Sequence, residues 1–135
     1  MNTDKYFYRN TIFSKSGNQV SIIDIENPEE NRQKLEPWPG VVFQLADGQH
    51  TVEEMFNLLA QKYEGPPPQD LKKTIISVVE RLAGMMLIVI TDKKTELPYY
   101  LKMPYELMDI EKAKKLLAED LLKHQPESNI NANQN

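Results

Sequence analysis

Val41-Val42-Phe43-Gln44-Leu45-Ala46-Asp47-Gly48-Gln49-His50-Thr51-Val52-Glu53-Glu54-Met55 is the stretch that decides the fold. Its apolar start continues Pro37-Trp38-Pro39-Gly40. A short helix is expected there, with proline in its first turn, where a missing N–H costs little. Asp47-Gly48 reads as the turn that closes it. Thr51-x-x-Glu54 is a capping box, in which hydroxyl and carboxylate each satisfy an orphan amide of the next helix. That helix carries Val52, Met55, Phe56, Leu58 and Leu59 and is expected to run to about Tyr63.

Downstream, Glu64-Gly65-Pro66-Pro67-Pro68 stops the second helix. A third, from about Gln69 to Ala83, places Leu71, Ile75, Val78 and Leu82 at helical spacing. Gly84 is expected to terminate it, and Met85 to Ile90 reads as a buried strand or extended apolar segment. Upstream, the chain reads as β. Tyr6 to Phe13 is aromatic and β-branched, Ser14 to Asn18 is a turn cluster, and Gln19 to Ile25 is a second strand, together a hairpin. After the turn Asn27 to Asn31, the polar run Arg32-Gln33-Lys34-Leu35-Glu36 is expected as a short third strand. Beyond residue 91, a polar turn and the aromatic segment Leu97 to Tyr105 lead to a fourth helix. It is expected to start at Pro104 or Asp109 and reach His124, with Ile110, Leu117 and Leu121 on one face. Gln125 to Asn135 is polar and Asn-rich and is expected to stay disordered.

Composition narrows the function. The chain has 135 residues, with 16 Lys+Arg against 20 Asp+Glu, a net charge of −4. No basic excess is available to hold a nucleic-acid backbone. Cysteine is absent, which removes disulfides, thiol nucleophiles, thiolate zinc sites and Cys-held iron–sulfur clusters. The N-terminus shows no signal-peptide apolar region, and the longest apolar run, Met85 to Ile90, is too short to cross a bilayer. A cytoplasmic protein with no membrane association is expected.

Candidate chemistry is sparse. His50 adjoins a helix start and His124 a helix end, neither with a second ligand at metal spacing. Asp47-Gly48 lacks the glycine-rich cradle of a phosphate loop. Glu29-Glu30 and Glu53-Glu54 sit in polar contexts that read as solvated surface. No catalytic residue, metal site or cofactor is expected. Lys72, Lys73 and Arg81 on the third helix admit a DNA-recognition reading, which Asp70, Glu80 and the net charge oppose. They also fit a plain solvent-facing stripe, or a groove that attracts an acidic peptide. Ile76 and Val79 widen the apolar face and either enlarge the core or line such a groove.

The block from Val41 to Met55, with Leu58 to Tyr63 and Leu71 to Ile88, resembles the PqqD-like family over roughly residues 5 to 90. The resemblance implies an α+β winged helix-turn-helix, with a three-stranded antiparallel N-terminal sheet and three helices. Residues 91–124, with the fourth helix, form an extension outside the resemblance, and 125–135 a tail. Such domains are recognition elements for ribosomally made precursor peptides. They bind the leader peptide as an added strand on the third strand, in a cleft bordered by the third helix. The implied peptide-binding residues are Arg32, Gln33, Lys34 and Leu35 on the strand and Lys72, Lys73, Ile76 and Val79 on the helix. Glu36-Pro37-Trp38-Pro39 departs from the family's usual entry into the first helix and leaves the end of the edge strand open.

The expected function is a non-catalytic adaptor that captures a leader peptide and presents the precursor to a separate maturase, often a radical SAM enzyme. The alternative is a winged-helix DNA-binding regulator, and a third reading is a structural subunit without a small ligand.

Overall fold

A computed structural model describes residues 1–123; His124 and the tail 125–135 lie outside the described residues. The described residues form an α+β fold, with two three-stranded antiparallel sheets and five α-helices. In chain order these are β1 (Tyr6–Arg9), β2 (Phe13–Ser16), β3 (Gln19–Ile22), β4 (Gln33–Lys34), α1 (Pro37–Leu45), β5 (Asp47–Thr51), α2 (Val52–Ala60), α3 (Leu71–Gly84), β6 (Ile88–Thr91), α4 (Tyr99–Lys102) and α5 (Ile110–Lys123). A 3₁₀ turn, Tyr105–Leu107, precedes α5. Among the described residues, no helix is long and apolar enough to cross a membrane.

The expected first strand, Tyr6 to Phe13, is two strands in different sheets. Phe7 and Arg9 alternate with less buried neighbours, but Ile12, Phe13 and Ser14 are all buried in succession. A flat strand cannot bury three consecutive side chains on one face, so the chain crosses from one sheet to the other at Asn10–Thr11. β2 then pairs with β3 from Phe13↔Ile22 to Ser16↔Gln19. The two residues between them include Gly17 at φ +58, in the left-handed region such tight hairpins require. β3 pairs with β4 through Ser21↔Lys34 and Ile22↔Gln33. The second sheet has the order β5-β1-β6.

β5 corrects a second expectation, because Asp47-Gly48 is extended rather than a turn. Gly48 is needed for a different reason: at φ +77, a Cβ there would collide with the carbonyl of Thr95. The Thr95 N–H donates to Gly48 O at 2.8 Å, which ties the segment after β6 to β5. The capping box forms as expected. Thr51 Oγ1 accepts from Glu54 N at 3.1 Å, and Thr51 N donates to Glu54 Oε1 at 2.8 Å. The end of α3 differs. The helix runs through Gly84, and the left-handed residue that stops it is Met86, at φ 63.

The main core joins Phe7, Phe13, Val20 and Leu35 of the strands to Val42 and Phe43 of α1, Met55 and Leu59 of α2, and the Leu71/Ile75/Val78/Leu82 stripe of α3. Phe13 and Phe43 meet edge-on at 5.2 Å. A second core lies beneath the C-terminal segment, where Leu97, Leu101, Met108 and Ala113 pack on Ile12, Ile23 and Ile25. Ile110 and Leu117 of α5 join this cluster as expected, whereas Leu121 is 63% exposed, because packing fades along the helix's last turns. The two cores are joined by polar contacts: Ser14 Oγ donates to Glu106 Oε2 at 2.5 Å and Lys15 N to Glu106 Oε1 at 3.0 Å. Burial alone would raise the Glu106 pKa, but these two donors, together with its own N–H and the charge of Arg32, outweigh it and hold the carboxyl below its ordinary value.

Candidate functional site: an open strand edge beside helix α3

β4 is the outer strand of its sheet. Leu35 N donates to Val20 O at 2.9 Å, and Leu35 O accepts from Gln19 Nε2 at 2.9 Å, so both backbone groups of Leu35 face β3. Successive residues of an antiparallel strand direct their backbone groups to opposite sides. Lys34 therefore turns its N–H and C=O to the open side. Pro37 ends the extended run by starting α1, which keeps this edge short and settles where the strand stops. A short edge bearing charged side chains resists promiscuous pairing.

A groove separates this edge from α3. Its narrow part, about 240 Å³, is walled by Gln33, Lys34, Arg81 and Met85. It widens to about 610 Å³ between Glu36 and Trp38 on one side and Lys73, Thr74 and Ser77 on the other. Glu36, Pro39 and Arg81 border both parts, so the depression is continuous. Lys34, Lys73 and Arg81 make no ion pair among the described residues. Glu36 and Asp70 share the walls and moderate, without cancelling, the positive character.

Of the eight residues implied by the resemblance, the groove gathers four. Gln33 and Lys34 are exposed on its lip, Leu35 lines its floor while anchoring the strand in the core, and Lys73 sits on the helical wall. Arg32 turns away. Its Nε donates to Pro28 O at 2.7 Å, and its guanidinium lies 3.7 Å from Glu29 and 3.4 Å from Ser14 Oγ. Lys72 faces α2, 2.7 Å from Glu53 and over the Phe56 ring at 5.3 Å. The hydrogen bonds from Lys72 and Thr3 hold the Glu53 carboxyl below its ordinary value. Val79 is fully buried and Ile76 is partly buried against the same core, so neither lines the groove. The physical reason is helical geometry. At about 100° per residue, Lys72, Ile76 and Val79 share one flank of the buried stripe, while Lys73, Thr74, Ser77 and Arg81 share the other.

His50 pairs with Asp47 at 2.9 Å, near Glu54 and Leu58, and none of these four residues lines the groove. Among the described residues, no three His, Cys, Asp or Glu side chains gather where they could hold a metal ion. No family model, no characterised protein and no solved structure matches the chain.

Proposed function

We propose that the chain is a peptide-binding adaptor: it captures an extended segment of a partner polypeptide by strand addition to β4, with α3 as the opposite wall. The carrying observation is the outward-facing N–H and C=O of Lys34 beside a groove lined by unpaired cations. In this reading α1 to α3 and the β2–β3–β4 sheet form a winged helix-turn-helix, similar to the PqqD-like recognition domains. The ligand is the leader of a ribosomally made precursor. The domain has no catalytic role; it acts in the cytoplasm and hands the precursor to a separate maturase such as a radical SAM enzyme.

Magnitudes divide the labour within the site. Two backbone hydrogen bonds at Lys34 contribute about 1 kcal/mol each. Association costs at least about 4 kcal/mol of lost freedom. The edge therefore sets register and direction, while the side chains of the groove supply affinity.

Titration of the full chain with the leader of a precursor encoded beside it, against a scrambled leader, tests the reading. The authentic leader is expected to bind at least tenfold more tightly. Lys34→Pro is expected to weaken it more than Lys34→Ala, because proline removes the N–H of the ladder. Equal affinity for authentic and scrambled leader, or tight salt-sensitive binding of duplex DNA instead, overturns it.

A further inference from the structure

Next to the groove, between the first turn of α1 and the end of α2, lies a second depression of about 340 Å³. Its walls are Pro37, Trp38, Val41, Leu59, Lys62 and Tyr63. It is apolar apart from Lys62 at the rim, and Val41 and Tyr63 are each more than one-third exposed. Pro37 and Trp38 line this pocket and the groove alike, so Trp38 stands as the partition between them. Val41 and Tyr63 make an apolar surface that the core does not need, at the end of a channel whose walls carry cations.

We infer that this pocket is the anchor subsite of the same peptide: it takes one large apolar side chain from an acidic extended segment whose strand-forming part lies on β4. The inference rests on the proposed peptide-binding reading and adds the ligand's chemistry to it. Length fixes the spacing. From Met85 to Asp70 the groove follows α3 for fifteen residues, about 22 Å at 1.5 Å per residue. An extended peptide covers that distance in about seven residues. The anchor therefore lies up to about seven positions from the residue paired with Lys34. Charge fixes the composition. Lys62 at the pocket rim and Lys34, Lys73 and Arg81 in the groove make no ion pair among the described residues. Acidic residues between the paired segment and the anchor meet these cations, which steers encounter and rejects basic sequences. Backbone pairing is indifferent to sequence, so a two-residue edge without an anchor would not select one peptide from many. The apolar pocket adds that selection.

The chain has a single tryptophan, and it is this partition residue, so its emission reports the pocket directly. The probe is a random dodecapeptide library displayed on phage and panned against the full chain. The best peptide is then synthesised and titrated by Trp38 fluorescence and by anisotropy of a label on the peptide. Selected peptides are expected to be acidic with one bulky apolar residue, and their binding to shift Trp38 emission. Val41→Glu places a charge in the pocket from an already exposed position; it is expected to weaken binding at least tenfold. Truncating the peptide's apolar residue to Ala is expected to cost the same, and the two changes together little more than either alone. Binding that Lys34→Pro weakens, but that Val41→Glu and anchor truncation change less than twofold with Trp38 emission still, overturns the anchor pocket and leaves the strand-addition reading standing. Binding that Val41→Glu abolishes while Lys34→Pro leaves it unchanged overturns the joint site. Failure to enrich any peptide over scrambled controls overturns both readings.

Discussion

Replacing Arg9 by methionine tests how the two cores are held together. Arg9 is 5% exposed and makes no ion pair among the described residues. Its Nε donates to Leu101 O at 2.9 Å, Nη1 to Gln44 O at 2.7 Å and Nη2 to Lys102 O at 3.2 Å. All three acceptors lie in the last turn of a helix, α1 or α4, where carbonyls lack intrahelical partners and the helix dipole is negative. Burial lowers the Arg9 pKa, while Asp47 raises it, and a guanidinium stays charged nonetheless. Its ring-side contact with Phe13, at 5.3 Å, ties it to the main core as well. Methionine fills similar volume, so the cavity cost is small, but three charge-assisted bonds of about 1.5–3 kcal/mol each are lost. The Gln44 and Lys102 carbonyls are only partly buried and regain water, whereas Leu101 O does not. The net loss is about 3–4 kcal/mol, a large share of the roughly 5–15 kcal/mol that holds a small domain together. Arg9→Lys restores at most one bond and is expected to recover about a third of that loss. Urea unfolding followed by far-UV circular dichroism measures both variants. A loss below about 1 kcal/mol for Arg9→Met, with an unchanged m-value, refutes the claim that these bonds join the two cores.

Met86→Gly is expected to stabilise the chain by about 0.5–1 kcal/mol, because glycine takes the positive φ at the end of α3 without a Cβ clash; a lowered melting temperature contradicts the role assigned to that residue. Val79→Ala empties part of the main core and is expected to cost about 2 kcal/mol with peptide affinity unchanged; a selective affinity loss at full stability would return Val79 to the site. Burial first, and its hydrogen bond to Asp120 second, push the Tyr100 phenol up to about 12. Its contribution is therefore complete below pH 10 and withdrawn as pH rises toward 12, and an ultraviolet titration is expected to lose the step near pH 12 in Tyr100→Phe.

Local chemistry made parts of this fold readable from sequence. The capping box at Thr51 and the apolar period of α3 are dictated within a single turn or a single helix, so short-range rules suffice for them. The extended state of Asp47 to Thr51 is not local. Gly48 there is required by the approach of Thr95, forty-seven positions on, and the same dipeptide in isolation favours a turn. The splitting of Tyr6 to Phe13 has the same origin. Only the presence of β5 and β6 on either side of β1, with the C-terminal segment covering Ile12, gives those eight residues two sheets to serve. Residues 91–124 carried no functional motif, yet Leu97, Leu101, Met108 and Ala113 pack over Ile12, Ile23 and Ile25 at the approaches to the β2–β3 hairpin.

The groove-facing flank of α3 was only partly legible in the sequence, which placed Lys73 there and offered Arg81 but chose Ile76 and Val79 over Thr74 and Ser77, for a reason rooted in packing. Apolarity identifies the side of a helix that the core covers, and extending the apolar stripe to Ile76 and Val79 extends the core, since a half-buried position next to a buried one is filled by packing. A surface that must stay open between a helix and a strand edge is marked instead by small or hydroxylated side chains flanked by cations. Thr74 and Ser77 leave room along the helical wall of the groove, where Lys73 and Arg81 reach into water. The pattern Lys73-Thr74-x-x-Ser77-x-x-x-Arg81 was visible in the sequence, but it names a site only once a strand edge lies opposite. The choice of flank was made by Pro37-Trp38-Pro39. By ending β4 abruptly and starting α1 at once, this segment sets Glu36 and Trp38 against Lys73, Ser77 and Arg81, not against Lys72. The departure from the expected helix entry is thus the feature that places the groove.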